Sequence, residues 1–200
     1  MTRVDLPAPF SPSSAWTVPR FTSPRDAISA RIGISLVPEE RKTEGLFLKL
    51  SGTVNATMPI VGRFARFGLI DRRKEGAAVQ RAFRQINVAD RAAWMPVESF
   101  SGGNQQKIAI AKWLLTEARV LLVYDPTRGI DVGTKNEIYQ MMRAYAEAGG
   151  AVVFYSTEIP ELVHLADRTL VFYGGEIVAE LAGDALTEEN ILSAALGAAA

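Results

Sequence analysis

The chain has 200 residues, of which 48% are hydrophobic and 22% are charged, so its length and composition indicate one globular domain and exclude wholesale disorder. Lysine and arginine number 22, as do aspartate and glutamate, and a net charge of zero offers no basic surface for sequence-independent binding of nucleic acid. With no cysteine and one histidine, the chain excludes disulfide scaffolds, thiolate zinc sites and His-rich metal centres, and its lack of cysteine indicates a cytosolic compartment.

Residues 1–20 differ in composition from the remainder, because half of the 10 prolines lie before residue 25 among several serines. Such a stretch predicts a flexible or extended Pro/Ser-rich leader outside the fold. Ser23 and Pro24 then favour a short helix through Ala30, and the apolar residues 32–37 favour a buried strand. The folded part is therefore expected to cover residues 21–200.

The folded part divides into a helical middle and an α/β end. Residues 45–118 carry helical periodicity, as in the face formed by Val79, Phe83 and Ile86. From residue 119 onward strands and helices alternate, and residues 120–124 and 151–155 are continuous apolar runs typical of buried parallel strands. The pattern predicts an α/β fold with a parallel sheet and a helical subdomain at about 45–118, followed by the C-terminal α/β part at about 119–200.

Three finer features complete this prediction. Thr134 and Glu137 match a capping box for the helix between the two apolar strands. A strand pair is expected over residues 169–173 and 176–180, joined at a Gly-Gly turn. A last helix should begin after Thr187 and pack its side chains Ile191, Leu192 and Leu196 on the core.

One short segment has the chemistry of an anion site. Ser101, Gly102 and Gly103 precede an amphipathic helix, so a bare backbone can approach an anion while the helix N-terminus supplies unpaired N–H groups and the positive end of the dipole. This arrangement suits a phosphate. The alternative is an ordinary glycine-containing helix cap, and the motifs around the segment decide between the two.

Four segments in order resemble one family. Residues 100–107 (FSGGNQQK) resemble the signature motif of ATP-binding cassette proteins, and residues 119–133 (RVLLVYDPTRGIDVG) are similar to its Walker B strand and D-loop. Residues 154–162, which include STEIPEL, stand at the switch loop, and residues 37–42 (VPEERK) stand at the Q-loop. The resemblance covers about residues 20–182 and is closest in form to the second cassette of sugar importers of the ribose and galactose type.

The resemblance implies roles for particular residues. The signature positions that contact ATP are taken by Ser101, Gly102, Gly103 and Asn104. Two residues of other motifs also take ATP-contacting positions, namely Glu39 in the Q-loop and Asp131 in the D-loop.

For catalysis, Asp125 takes the position of the glutamate that polarises the attacking water, and Thr157 takes that of the switch histidine. Tyr124 stands where the family has a Mg²⁺-supporting aspartate, so no residue is assigned to a metal. The alternative role for Asp125 is to initiate a turn before proline. The single histidine, His164, reads as a structural or surface residue.

The sequence contains no G-x-x-x-x-G-K-[ST] phosphate loop (Walker A). The chain therefore resembles a partial P-loop NTPase-like cassette whose N-terminal third is missing. The resemblance implies ATP and Mg²⁺ as cofactors, a second ATP-binding cassette and transmembrane permease subunits as partners, a periplasmic sugar-binding protein as an indirect partner, and a cytoplasmic location on the inner face of the cell membrane.

Two hypotheses stay open. The chain is either the ATP-binding subunit of a sugar importer, which couples ATP to transport only together with a partner cassette and permease, or a truncated, non-catalytic interaction module or remnant of such a subunit.

Overall fold

The computed structural model describes residues 2–3 and 33–197. Within these residues the α-helices are α1 (Gly52–Thr57), α2 (Arg72–Gln85), α3 (Gly102–Leu114), α4 (Val132–Glu147), α5 (Ile159–Leu165) and α6 (Glu188–Ala195). The strands are β1 (Thr2–Arg3), β2 (Ile34–Val37), β3 (Ala65–Arg66), β4 (Leu69–Ile70), β5 (Val120–Tyr124), β6 (Ala151–Tyr155), β7 (Arg168–Tyr173) and β8 (Glu176–Ala182). A π-helical turn covers Arg41–Gly45, and 3₁₀ helices cover Met58–Phe64, Asp90–Ala93, Val97–Ser99 and Gly183–Ala185.

The described strands form a main sheet in the order β2-β5-β6-β1-β7-β8. Strands β2, β5 and β6 are parallel, with Val120 opposite both Ile34 and Ala151. Strands β7 and β8 form an antiparallel pair. The predicted parallel strands are confirmed, and β5 and β6 have the bounds that their apolar runs indicated.

Strand β1 lies between β6 and β7 and is antiparallel to both. Its two residues therefore lie in the sheet, which corrects at these positions the expected leader over residues 1–20. The physical reason is that β6 and β7 leave a gap whose backbone N–H and C=O groups need partners. Residues 4–20 and the helix expected at 23–30 lie outside the described residues.

The core of the α/β part packs between the sheet and its helices. Leu121 on β5, Phe154 on β6 and Ile138 on α4 are each at most 2% exposed and belong to one apolar cluster. The alternation of helix and strand in the sequence produces this layer because each helix buries one apolar stripe on the sheet. None of the described helices combines the length and the hydropathy needed to cross a bilayer.

The helical middle has a second apolar cluster, which includes the predicted face of Val79, Phe83 and Ile86 on and after α2. Helix α3 contributes to both clusters, since Ile108 packs in the helical part and Ile110 packs in the α/β part. A helix that is buried on nearly all sides is fixed in direction by both parts. The N-terminal end of α3 is therefore held in a defined place.

Two sequence expectations are wrong, and one element was not indicated by the sequence. Helix α4 is capped by Asp131 rather than by a box of Thr134 and Glu137, because Asp131 accepts the backbone N–H of Thr134 at 3.0 Å and Glu137 pairs instead with Lys107. Helix α6 buries Ile191 but leaves two of its expected core residues exposed, since the apolar stripe continues through Ala194. Those residues are Leu192 and Leu196. The helical middle also contains a hairpin, β3–β4, that periodicity did not indicate.

Truncation of the α/β core should show its contribution to stability. We expect Ile138→Ala to lower the free energy of unfolding by about 2–5 kcal/mol, because it removes a fully buried side chain and leaves a cavity. Val132→Ala is the matched control on the same helix, where the side chain is 75% exposed. Urea denaturation of both variants measures the difference, and equal midpoints would contradict this packing.

Candidate functional site

Ser101 caps the 13-residue helix α3. Its hydroxyl accepts hydrogen bonds from the backbone N–H of Asn104 at 3.5 Å and from Asn104 Nδ2 at 3.2 Å. The first amides of a helix have no acceptor within the helix, so the N–H groups of Gly102 and Gly103 stay available where the dipole favours an anion. Because Ser101 is exposed, this end of α3 can be reached by an anion from solvent.

Both glycines have close neighbours. A Cβ at Gly102 would lie 2.7 Å from Nη2 of Arg41, and a Cβ at Gly103 would lie 2.7 Å from the side chain of Thr134. Any larger residue would push these neighbours away. The glycines therefore let α3 approach the residue 39–42 segment on one side and the start of α4 on the other.

A cleft of about 240 Å³ lies beside this helix end. Its lining residues come from two loops, namely Glu39, Glu40, Arg41, Lys42, Arg128 and Gly129. An ion pair between Glu39 and Arg128 joins the two loops. The Nε atom of Arg41 is buried and has no hydrogen-bond partner within the described part of the chain. The cleft thus places a guanidinium group against the end of α3.

Asp131 completes this surface at the start of α4. Its carboxylate accepts the backbone N–H of Thr134 at 3.0 Å and the Thr134 hydroxyl at 2.9 Å. The backbone hydrogen bond, followed by the hydroxyl hydrogen bond, lowers the pKa of Asp131 below its ordinary value. Since Thr134 also contacts Gly103, Asp131 is linked to the end of α3 through one residue.

Asp125 and Thr157 follow β5 and β6, at the carboxyl ends of two adjacent parallel strands. Oδ2 of Asp125 accepts the Thr157 hydroxyl at 3.0 Å, and Oδ1 accepts the Thr157 backbone N–H at 3.4 Å. Asp125 is 3% exposed and has φ +44°, which is uncommon for a residue other than glycine. Tyr124, which is 44% exposed, stacks on Tyr155 with ring centroids 4.7 Å apart. The two predicted catalytic residues are therefore hydrogen-bonded to each other.

Comparison with known proteins assigns the family. A family model described as ABC transporter matches residues 17–128, which is more than half of the chain. The chain belongs to the ABC transporter family. The resemblance that the signature, Walker B and switch segments carry in the sequence is confirmed.

Relatives in this family are named for sugar import. The chain is 46% identical over 177 residues to a ribose import ATP-binding protein of Rhizobium johnstonii, RbsA 1, covering 88% of the chain and 35% of the relative. It is 43% identical over 174 residues to a xylose import ATP-binding protein of Burkholderia ambifaria, XylG, covering 87% of the chain and 33% of the relative. The chain thus spans about a third of the length of the curated relatives it matches.

Solved structures show the same fold. A dimeric structure of the ATP-binding cassette MJ0796 in a post-hydrolysis state with ADP and phosphate aligns with TM-score 0.62 and 23% identity, covering 74% of this chain and 61% of that chain. At this identity the match supports the fold alone. It confirms the predicted fold class, a parallel sheet with helices as in a partial P-loop NTPase-like ABC cassette.

The described residues do not fit a Mg²⁺ ion. Magnesium requires oxygen ligands in near-octahedral geometry, but Tyr124 provides a phenol in ring contact with Tyr155, and both oxygens of Asp125 accept hydrogen bonds from Thr157. Within residues 2–3 and 33–197 no group of three or more His, Cys, Asp or Glu side chains is placed to hold a metal. No step of the chemistry is assigned to a metal on this chain.

A buried carboxylate that sequence reasoning left without a role joins the two strand ends. Glu161 on α5 accepts hydrogen bonds from the hydroxyls of Tyr139 at 2.7 Å, Ser156 at 2.7 Å, and Thr127. The Glu161 side chain is 3% exposed, and Lys135 Nζ lies 3.7 Å from it. The sequence contains Glu161 within STEIPEL, but only the fold brings hydroxyls from three other elements to it.

The groups around the Glu161 carboxylate keep the protons with which they bind it. The hydrogen bond from Lys135 to Glu158 at 2.5 Å raises the pKa of Lys135, so its ammonium group stays charged. Burial first, and then the hydrogen bond to Glu161, raise the pKa of Tyr139 above its ordinary value, so its hydroxyl remains a donor.

His164, in line with a structural or surface role, is exposed and accepts through its carbonyl from Arg143 at 2.7 Å.

The Glu161 network should be a strong determinant of stability. We expect Glu161→Ala to lower the free energy of unfolding by about 3 kcal/mol, because three buried or half-buried hydroxyls lose their shared acceptor. Glu158→Ala is the matched control, since Glu158 also pairs with Lys135 but its side chain is 48% exposed, and should change stability by less than about 1 kcal/mol. Urea denaturation compares the two, and equal losses would refute the role given to Glu161.

Proposed function

We propose that this chain is an ATP-binding subunit of an ABC-type importer for sugars. The proposal is supported by family membership and by the similarity to relatives named as ribose and xylose import ATP-binding proteins. The observation that carries it is the N-terminal end of α3, where exposed Ser101 precedes two glycines whose N–H groups have no acceptor within the helix.

In this proposal the end of α3 contacts a nucleotide held by a second cassette. Gly102 and Gly103 bind phosphate oxygens of that ATP through backbone N–H groups, and Ser101 and Asn104 bind them through the hydroxyl and the side-chain amide. The Arg41 guanidinium, which lies against Gly102, adds positive charge at the same place. Glu39 and Asp131 border the site and hold its two loops through Arg128 and Thr134.

Coupling of ATP to transport then needs partners. The 200 residues contain no phosphate loop of the G-x-x-x-x-G-K-[ST] type, and nucleotide affinity in this class depends on that loop. We propose that a second ATP-binding cassette grips the nucleotide, that transmembrane permease subunits couple its turnover to transport, and that a periplasmic sugar-binding protein acts on the permease. The chain would act in the cytoplasm, peripherally on the inner face of the membrane, with Mg²⁺ brought by the partner's ATP.

One observation favours the alternative, a truncated, non-catalytic interaction module or remnant of such a subunit. Asp125 and Thr157, the two residues in catalytic positions, satisfy each other, and Tyr124 stacks on Tyr155. Asp125 is 3% exposed and both of its oxygens already accept hydrogen bonds, which leaves little room for a water beside it. In this alternative the chain retains the fold but contributes no hydrolysis.

Association with a whole cassette distinguishes the two functions. The chain is mixed with the ribose import ATP-binding protein of Rhizobium johnstonii, and binding is followed by analytical ultracentrifugation with and without Mg-ATP. We expect association that depends on ATP, and a loss of roughly tenfold or more in affinity for Ser101→Arg, because the bulky cation blocks the phosphate contact.

Thr187→Arg is the matched control, because Thr187 caps α6 through the same type of hydrogen bond and is exposed. Both variants lose one cap and gain one guanidinium, so their melting temperatures should match. If wild type and Ser101→Arg associate equally well, the signature role is wrong. If neither associates at any ATP concentration, the importer-subunit proposal is wrong and the chain is a remnant of such a subunit.

A further inference from the structure

The β3–β4 hairpin in the helical part has an unusual tip. Ala65 pairs with Ile70 and Arg66 with Leu69, which leaves Phe67 and Gly68 as a two-residue turn. Both have positive φ, 52° and 79°. Such a turn strongly prefers Asn-Gly, since bulky residues are strained at positive φ. Phenylalanine therefore occupies this place at a cost to the hairpin.

The tip projects its apolar side chains into solvent. Phe67 is 92% exposed and Leu69 is 77% exposed, the two highest values among the exposed large hydrophobic residues of the described chain. The guanidinium of Arg66 lies 5.3 Å from the centre of the Phe67 ring. A strained aromatic residue that packs on no core contributes nothing to folding, so its selection points to a contact outside the chain.

The charges around the tip are strongly one-sided. Residues 63–74 contain five basic side chains (Arg63, Arg66, Arg72, Arg73 and Lys74) and a single acidic one, Asp71. Arg72 is engaged with Glu75 at 2.9 Å, and Lys74 lies 3.8 Å from Asp71. Arg66 and Arg73 are exposed, and the ion pairs of this segment in the described residues involve the other three basic side chains. The apolar tip is thus flanked by exposed positive charge on a chain whose net charge is zero.

The base of the hairpin is rigidly attached. Arg63 donates to the carbonyls of Leu115 at 3.3 Å and Thr116 at 3.1 Å, beyond the end of α3, and pairs with Glu117 at 3.3 Å. The Asp71 N–H donates to the Phe64 carbonyl at 2.8 Å and closes the hairpin. The base of the hairpin is therefore anchored to the residues that follow α3.

We propose that this hairpin binds an anionic lipid surface, with Phe67 and Leu69 inserted among the headgroups and Arg66 and Arg73 against lipid phosphates or carboxylates. An apolar tip flanked by cations is the pattern of interfacial membrane contacts. A convex, narrow tip favours a deformable lipid surface over a protein partner, which binds mainly through broad, packed patches. The proposal is independent of the ATP site, because it concerns a separate surface.

The test uses the full chain and vesicles of defined composition. Cosedimentation compares vesicles of phosphatidylcholine alone with vesicles that also contain phosphatidylserine, at low and high salt. We expect binding to the phosphatidylserine vesicles that is roughly tenfold or more stronger than to phosphatidylcholine and that weakens with salt.

Phe67→Asn is the decisive variant, since it restores the favoured Asn-Gly turn while removing the aromatic side chain. Its melting temperature should equal or exceed that of the wild type, and its vesicle binding should fall at least several-fold. Arg66→Gln/Arg73→Gln should abolish the preference for phosphatidylserine. The control Ile177→Ser/Leu196→Ser removes two other exposed apolar side chains, 55% and 69% exposed, and should bind as the wild type does.

Three results would overturn the proposal. The first is no binding to phosphatidylserine vesicles, which is the result expected of a hairpin that docks on a protein. The second is vesicle binding by Phe67→Asn equal to that of the wild type. The third is a loss of vesicle binding in the Ile177→Ser/Leu196→Ser control equal to the loss in Phe67→Asn. Ser101→Arg should leave vesicle binding unchanged, so failure of this proposal and failure of the ATP-site proposal give different results.

Discussion

The arrangement of the site depends on one buried carboxylate. Hydroxyls from Thr127 after β5, Ser156 after β6 and Tyr139 on α4 converge on Glu161, and a carboxylate can remain buried only when such donors replace water. The ends of two parallel strands and two helices are thereby held as one unit. Asp125 and Thr157 lie next to Thr127 and Ser156, so their mutual hydrogen bonds follow from the same constraint.

The two groups of predicted site residues differ in how open they are. The carboxylate beside β5 is closed off by Thr157, whereas the end of α3 is accessible and backed by Arg41. Electrostatics favours a phosphate at that end, because free N–H groups and a guanidinium converge there and cost no reorganisation when an anion arrives. In the proposed function, this end of α3 would complete a nucleotide site that another cassette begins.

The sequence alone predicted those elements whose pattern is local or is repeated along the chain. The apolar runs of β5 and β6 have the bounds that were predicted, since such runs fit buried parallel strands and little else. The α4 cap was misassigned because Asp131 and Thr134 are both good capping residues, and the choice depends on backbone geometry. Glu161, the insertion of β1 and the Phe67 hairpin were missed because each depends on partners distant in sequence or on a turn without the usual Asn-Gly signal.

The central claim, that the chain presents a phosphate-binding helix end but does not hold ATP by itself, is tested most directly by calorimetric titration of the purified chain with Mg-ATP. We predict no saturable binding at micromolar concentrations, because these residues contain neither a phosphate loop nor a fit for Mg²⁺. A stoichiometric ATP site with low-micromolar affinity on the isolated chain would contradict the account.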